Sequence, residues 1–163
     1  MVSPPSDFER FFAEEYVGVV HSLTLAFGDR RRAEEAAQEA FSQALIQWAK
    51  VRGMARPAGW VYTVALRYEW RRYRLWRRER SYQLVGVGDD TVTVDDHLLV
   101  VGLLAKLTPR QRRAVVLRYH ADLDLKEVAQ AMGCSLGTAK ATLHQAITRM
   151  SLLADGDPID APR

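Results

Sequence analysis

The stretch Leu125–Met150 reads LKEVAQAMGCSLGTAKATLHQAITRM. Val128, Ala129 and Met132 recur at helical spacing and run into Gly133, which can take the positive φ of a tight turn. Ser135 then stands where an N-cap belongs, ahead of a second inward stripe of Leu136, Ala139, Leu143, Ile147 and Met150. Ala129 is small enough for the two helices to cross closely. This is the layout of a helix-turn-helix, whose second helix enters the major groove of a duplex. The spacing predicts that Thr138, Lys140, Ala141, Thr142, His144 and Gln145 are exposed near the start of that helix. Lys140 suits phosphate or guanine, Thr142 a phosphate or a thymine methyl, and Gln145 an adenine edge. A helical hairpin packed on protein is the alternative reading of the same pattern.

Upstream, the helical punctuation is equally local. Asp124 and Glu127 form a capping pair, and Thr108-Pro109 with Gln111 supplies cap, first-turn proline and capping box. The helix they open is predicted to run to Tyr119, with Val115, Val116 and Leu117 inside and Arg110, Arg112, Arg113 and Arg118 largely outside. A short apolar helix precedes it at His97–Lys106. Before that, Ser81–Asp96 (SYQLVGVGDDTVTVDD) breaks the helical pattern with two glycines, acidic pairs and a short Val-Thr-Val run, and reads as a linker. Residues 151–163 end in Gly, two Pro and Asp and read as fraying, with a tail from 154.

The first half predicts three helices. Ser6 with Glu9 opens one that carries Phe8, Phe11, Phe12, Tyr16, Val19, Val20, Leu23 and Phe27 and stops at Gly28. Asp29 caps the next, with Ala33, Ala36, Ala37, Ala40, Phe41, Ala44, Leu45 and Trp48 on the buried face and Glu34, Glu35, Gln38, Glu39 and Gln43 opposite. Pro57 starts the third, which runs to about Arg80 on an early stripe of Trp60, Val61, Val64, Ala65 and Tyr68. Its second half interleaves Arg67, Arg71, Arg72, Arg74, Arg77, Arg78 and Arg80 with Trp70, Tyr73 and Trp76. Guanidinium groups beside rings suit phosphates and unstacked bases together. Rings packed inside under arginine stems are the competing explanation.

Of 163 residues, 23 are Lys or Arg and 20 Asp or Glu, for a net charge of +3. The total conceals a division: residues 1–80 carry +4, 81–98 carry −4, 99–150 carry +5 and 151–163 carry −2. Two basic bodies around an acidic strip fit partners rich in phosphate. No apolar run approaches the ~20 residues of a membrane helix, and the N-terminus has no basic-then-apolar leader, so no membrane insertion is expected. One cysteine, Cys134, excludes an internal disulfide and fits a cytoplasmic setting. Neither metal-ligand spacing, a phosphate-binding glycine loop nor a nucleophile–base set occurs, so no metal, no cofactor and no enzymatic activity are expected. The predicted class is all-α: two small helical domains joined by a flexible acidic linker, the C-terminal one a helix-turn-helix. The boundaries are 1–80, a linker at 81–96, 97–153, and a tail at 154–163.

In this order the chain resembles a bacterial sigma factor of the extracytoplasmic-function group. The segments that carry the resemblance are Ala33–Phe41 (AEEAAQEAF), Gly59–Ala65 (GWVYTVA), the arginine-rich end of that helix, Leu107–Arg112 (LTPRQR) and Gly133–Lys140 (GCSLGTAK), within about residues 6–153. The resemblance implies a subunit that binds core RNA polymerase and brings it to promoter DNA, duplex and melted. It places Glu35, Gln38 and Glu39 against the polymerase. It places Arg56, Trp60, Tyr62, Arg67, Trp70, Arg71, Arg72 and Arg74 at the minus-ten element, and Thr138, Lys140, Ala141, Thr142, His144 and Gln145 at the minus-thirty-five element. The linker would thread toward the polymerase active centre, and an anti-sigma factor is a further implied partner. Arg67 and Arg71 stand where the family usually has Asn and Asp, Ala139 where valine is commoner, and few arginines follow Lys140. A free helix-turn-helix regulator and a protein adaptor with weakened DNA binding are the alternatives.

Overall fold

The Ser6 hydroxyl accepts the Glu9 amide at 3.2 Å while the Glu9 carboxylate takes the Ser6 N–H at 2.6 Å, and this reciprocal cap starts α1, Asp7–Phe27. Gly28 ends α1 in the left-handed region, φ 69°. Asp29 caps α2, Arg30–Ile46, by accepting the Arg32 amide. A short α3, Trp48–Val51, and a long α4, Pro57–Glu79, follow. These helices belong to the first of two compact units, Met1–Gly88; the second is Asp89–Arg163. The computed structural model describes residues 6–79 and 95–156, and side chains at 6–75 and 99–156. The expected linker up to residue 94, the tail from 157, and the side chains of Trp76, Arg77, Arg78 and Arg80 lie outside the described residues. Those described contain helices and turns and no strand, so the class is all-α.

In the first unit α2 packs on both α1 and α4. Ala33, Ala36, Ala37, Ala40 and Ala44 are fully buried, and their small side chains let both neighbours approach closely. The space the alanines leave toward the end of α2 is filled by rings: Phe8, Phe11, Phe12, Tyr16, Phe41 and Trp48 pair at centroid distances from 4.7 to 6.4 Å. Two expectations for α2 are corrected. Leu45 is 56% exposed, because at 100° per residue it turns past the Phe41 edge of the alanine stripe. Trp48 is half-buried and not on α2, which stops at Gln47; α3 restarts the chain there and brings the ring to Phe8 and Phe11.

The face of α4 is also rotated from its expected stripe. Val61, Tyr62, Ala65, Leu66 and Glu69 are buried, whereas Trp60, Val64 and Tyr68 are half-buried. An amphipathic pattern leaves such a rotation open when aromatic and aliphatic residues fall on both sides of the stripe.

In the second unit, α5 spans Asp95–Ala105, two residues earlier than expected, so Asp95 and Asp96 are helical and not linker. The Thr108–Gln111 capping box starts α6, Pro109–Val115, as expected. Its continuation is a single π turn, Val116–His120, which widens the helix before it stops. Val115, Val116 and Leu117 are buried as the pattern required. Arg112, Arg113 and Arg118 are half-buried, not outside. The Arg112 Nε donates to the Leu104 carbonyl at 2.9 Å and Arg118 donates to Leu123 at 3.2 Å, so two guanidinium groups tie off backbone carbonyls between elements. Burial lowers the pKa of Arg112 from its ordinary value.

Then α7, Leu125–Met132, is capped by the Asp124–Glu127 box, and α8, Leu136–Ala154, by Ser135. The helix thus extends through 151–154, where fraying was expected. Both α6 and α7 pack against α8.

Candidate nucleic-acid interface

The turn between α7 and α8 depends on two residues. Gly133 sits at φ 64° and ψ 36°, a conformation other residues reach only at a cost, and the Cys134 amide closes on the Ala129 carbonyl at 3.0 Å. The Ser135 hydroxyl then accepts the Thr138 amide at 3.1 Å and donates to the Thr138 hydroxyl at 2.8 Å. The start of α8 is therefore fixed from both sides.

Its buried face is Ala139, Thr142, Leu143 and Ala146, an i, i+3, i+4, i+7 set. Thr142, expected to meet DNA, is only 8% exposed and faces inward; that assignment is corrected. Leu136 and Ile147, expected inward, lie partly open at its edges, and Met150 is half-buried. Thr138, Lys140, Ala141, His144 and Gln145 are exposed together. Gly137 and Thr148 share this outward face with Ala141 and His144, and the sequence reading missed both. The i, i+4, i+7, i+11 spacing from Gly137 is the signal that finds them once the buried set is known.

In the first unit, Arg67, Trp70, Arg71, Arg72 and Arg74 are exposed along α4, and Trp60 is half-buried. Arg56 is exposed in the turn before α4. The Arg74 guanidinium lies 4.6 Å from the centroid of the Trp70 ring. Tyr62 is only 4% exposed, with its hydroxyl donating to Ser22 at 3.0 Å; burial raises the pKa of this phenol. It is a core residue, which corrects its expected place at DNA.

The acidic side of α2 is not a plain solvated stripe. Glu35 bridges Arg31 at 3.3 Å and Arg72 on α4, and the Arg72 guanidinium also donates to the Tyr68 hydroxyl at 3.3 Å. Tyr68 and Glu35 raise the pKa of Arg72 in consequence. One turn away Arg32 donates its Nε at 2.6 Å to Glu69, which is buried. Glu39 accepts the Gln43 amide at 2.7 Å, and Gln38 is exposed. So residues expected to serve two different partners, Glu35 and Arg72, meet each other. Both ion pairs join positions 37 residues apart, beyond the reach of any local pattern.

The second unit is by this geometry a helix-turn-helix DNA-binding domain. Residues 97–150 match the family described as Sigma-70, region 4. The chain is 28% identical over 159 residues to the RNA polymerase sigma-E factor of Streptomyces avermitilis, across 95% of this chain and 89% of that one. It is 27% identical over 159 residues to the ECF RNA polymerase sigma factor SigL of Mycobacterium tuberculosis, across 88% and 86% of the two. Its fold is that of the sigma factor RpoE of Bartonella quintana, solved in complex with the anti-sigma factor NepR: the TM-score is 0.75 at 18% identity, over 94% of this chain and all of that one. Along most of its length the chain is thus similar to RNA polymerase sigma factors, among them one of the extracytoplasmic-function group. It acts in transcription initiation, directing polymerase to promoters.

Proposed function

We propose that the two units divide promoter recognition: α8 reads the minus-thirty-five element, α4 engages the minus-ten element and its melted strand, and the outer face of α2 docks on core polymerase. The observation that carries this reading is the exposed start of α8. Thr138, Lys140, Ala141, His144 and Gln145 stand open on a helix whose position is fixed by Gly133 and Ser135, with its N-terminal dipole available to phosphate. Lys140 supplies the cation there, and the small Ala141 and Gly137 let the helix lie close to base edges.

The minus-ten side rests on Arg67, Trp70, Arg71 and Arg74, with Arg56 and Trp60 at the near end of the same helix. On α2, Gln38 and Glu39 offer the polymerase a polar, acidic face, and Glu35 extends it toward α4. The protein contributes binding energy for recognition and strand opening, and polymerase supplies the chemistry. Its setting is the cytoplasm, where promoters are; no described helix is long and apolar enough to cross a membrane. An anti-sigma factor is the proposed regulatory partner, supported by the capture of RpoE with NepR.

The test is transcription reconstituted from purified core polymerase, this protein and a library of genomic promoters. Transcripts whose start sites appear only when the protein is added are expected. Start sites that do not depend on it would overturn the reading.

A further inference from the structure

A helix that is apolar on every side is ordinarily a buried one. Leu98, Leu99, Val100, Val101, Leu103 and Leu104 take α5 around its whole circumference. Among the side chains described there, Leu104 is buried and Leu103 half-buried, whereas Val100 and Val101 are exposed and Leu99 is 67% exposed. Gly102 stands in the middle of this run and is exposed as well. A glycine inside a helix is destabilising next to alanine, so it calls for a reason. Outside its own turn of helix, nothing in the described chain lies within 4 Å of where a Cβ on Gly102 would stand. The fold of the unit therefore does not supply that reason.

Positions i, i+4, i+7 and i+11 share one face of a helix. On α5 that set is Asp95, Leu99, Gly102 and Lys106: an acid at the start, a base at the end, and a leucine and a glycine between them. Lys106 follows the last helical residue and keeps the turn, its amide donating to the Leu103 carbonyl at 3.2 Å. Turned end for end, the set is its own complement. Around a two-fold axis between Val100 and Val101, Asp95 of one copy falls opposite Lys106 of the other, and Leu99 falls opposite Gly102, each twice. The antiparallel arrangement also opposes the two helix dipoles favourably.

We propose that the open face of α5 pairs antiparallel with the α5 of a second copy of this chain, Leu99 of each copy seated over Gly102 of the other and the acidic start of each helix against the basic end of its mate. The missing Cβ at Gly102 is what lets the two helices approach closely. One short helix from each copy buries less than the roughly 1,200 Å² of a stable interface, so the dimer is weak, with a Kd of about 10–100 µM. It forms where the chain accumulates without another partner, and it hides α5 from anything else that docks there. None of the residues proposed above to meet DNA takes part, so the pairing stands or falls separately from that reading.

The experiment is sedimentation velocity of the full-length chain from about 1 to about 300 µM, a range that brackets the expected Kd. The mass is expected to rise from 18.5 kDa toward twice that value. Gly102→Leu fills the notch that Leu99 of the other copy needs, and should weaken pairing more than about tenfold. Open space around Gly102 within its own chain leaves the fold intact. Lys106→Glu sets like charges against each other and should weaken pairing about tenfold, and Asp95→Lys should do the same. An equimolar mixture of these two variants should regain the dimer, because an all-acidic stripe then faces an all-basic one. Circular dichroism verifies that each variant stays helical.

A chain that stays monomeric over the whole range overturns the proposal, as does a dimer that neither Gly102→Leu nor the charge reversals weaken. A mixture that stays monomeric when both charge variants have lost the dimer overturns it as well. Hydrogen exchange of the α5 amides distinguishes the occupant. Slowing as the protein concentration rises is expected, and slowing only when core polymerase is added gives the face to polymerase and overturns the pairing. None of these measurements involves DNA, so a failure here leaves the promoter reading in place.

Discussion

α4 and α8 are both long helices with one face on a core and the other open, yet they are made from opposite materials. The open face of α4 is arginine and tryptophan, long and charged, with its neighbour Arg72 reaching across to a second helix. The open face of α8 is Gly137, Ala141, His144 and Thr148 flanked by Thr138, Lys140 and Gln145, short and nearly neutral. A face of long cations tolerates imprecise docking, because flexible stems find phosphates over several ångströms. A face of small residues must be placed accurately to be useful. That explains why the turn before α8 is constrained by a left-handed glycine and a serine cap.

The contrast can be broken from its largest effect downward. Leu143→Asp puts a charge into the buried face of α8 and is expected to cost at least about 3 kcal/mol, unfolding the helix-turn-helix. Thermal denaturation followed by circular dichroism should show the loss. A variant that melts like the parent would mean α8 does not depend on that core. Glu69→Ala leaves Arg32 without its buried partner and should destabilise the first unit by about 1–3 kcal/mol, read in urea denaturation. Unchanged stability would show that α2 and α4 are held by their alanine contacts alone.

Lys140→Glu should lower promoter activity about tenfold, near 1.4 kcal/mol, with the fold intact, because it reverses the exposed charge that flanks the small-residue face. Equal activity would move DNA reading off α8. The smallest effect is expected from Thr142→Val. A buried threonine cannot contact a base, so minus-thirty-five affinity in a gel-shift assay with reconstituted holoenzyme should change less than about twofold. A large loss would restore Thr142 to the reading face.

Legibility followed distance along the chain. Ser6 with Glu9, Gly28, Asp29, Thr108 with Gln111, Asp124 with Glu127, Gly133 and Ser135 all act within about five residues of themselves, and each was found where the pattern placed it. The rotation of a helix about its axis is a different matter. Tyr62 and Thr142 were assigned to open faces and are buried, while Leu45 was assigned inward and is open. In each case the misplaced residue borders the stripe, where the partner helix and not the periodicity chooses the side. The π turn at Val116–His120 and the break at Gln47 were likewise unmarked by any Gly or Pro.

The sequence by itself determined where the capped helices begin, which half carries the turn of a helix-turn-helix, and the division of the net charge into basic and acidic segments. These depend on caps, propensities and composition, which are local. Only the tertiary structure decided that Arg32 meets Glu69 and Arg72 meets Glu35, and hence which arginines of α4 remain for a partner. An ion pair between residues 37 apart forms because two helices pack at one angle and register, and that choice is made by the whole alanine and aromatic core at once.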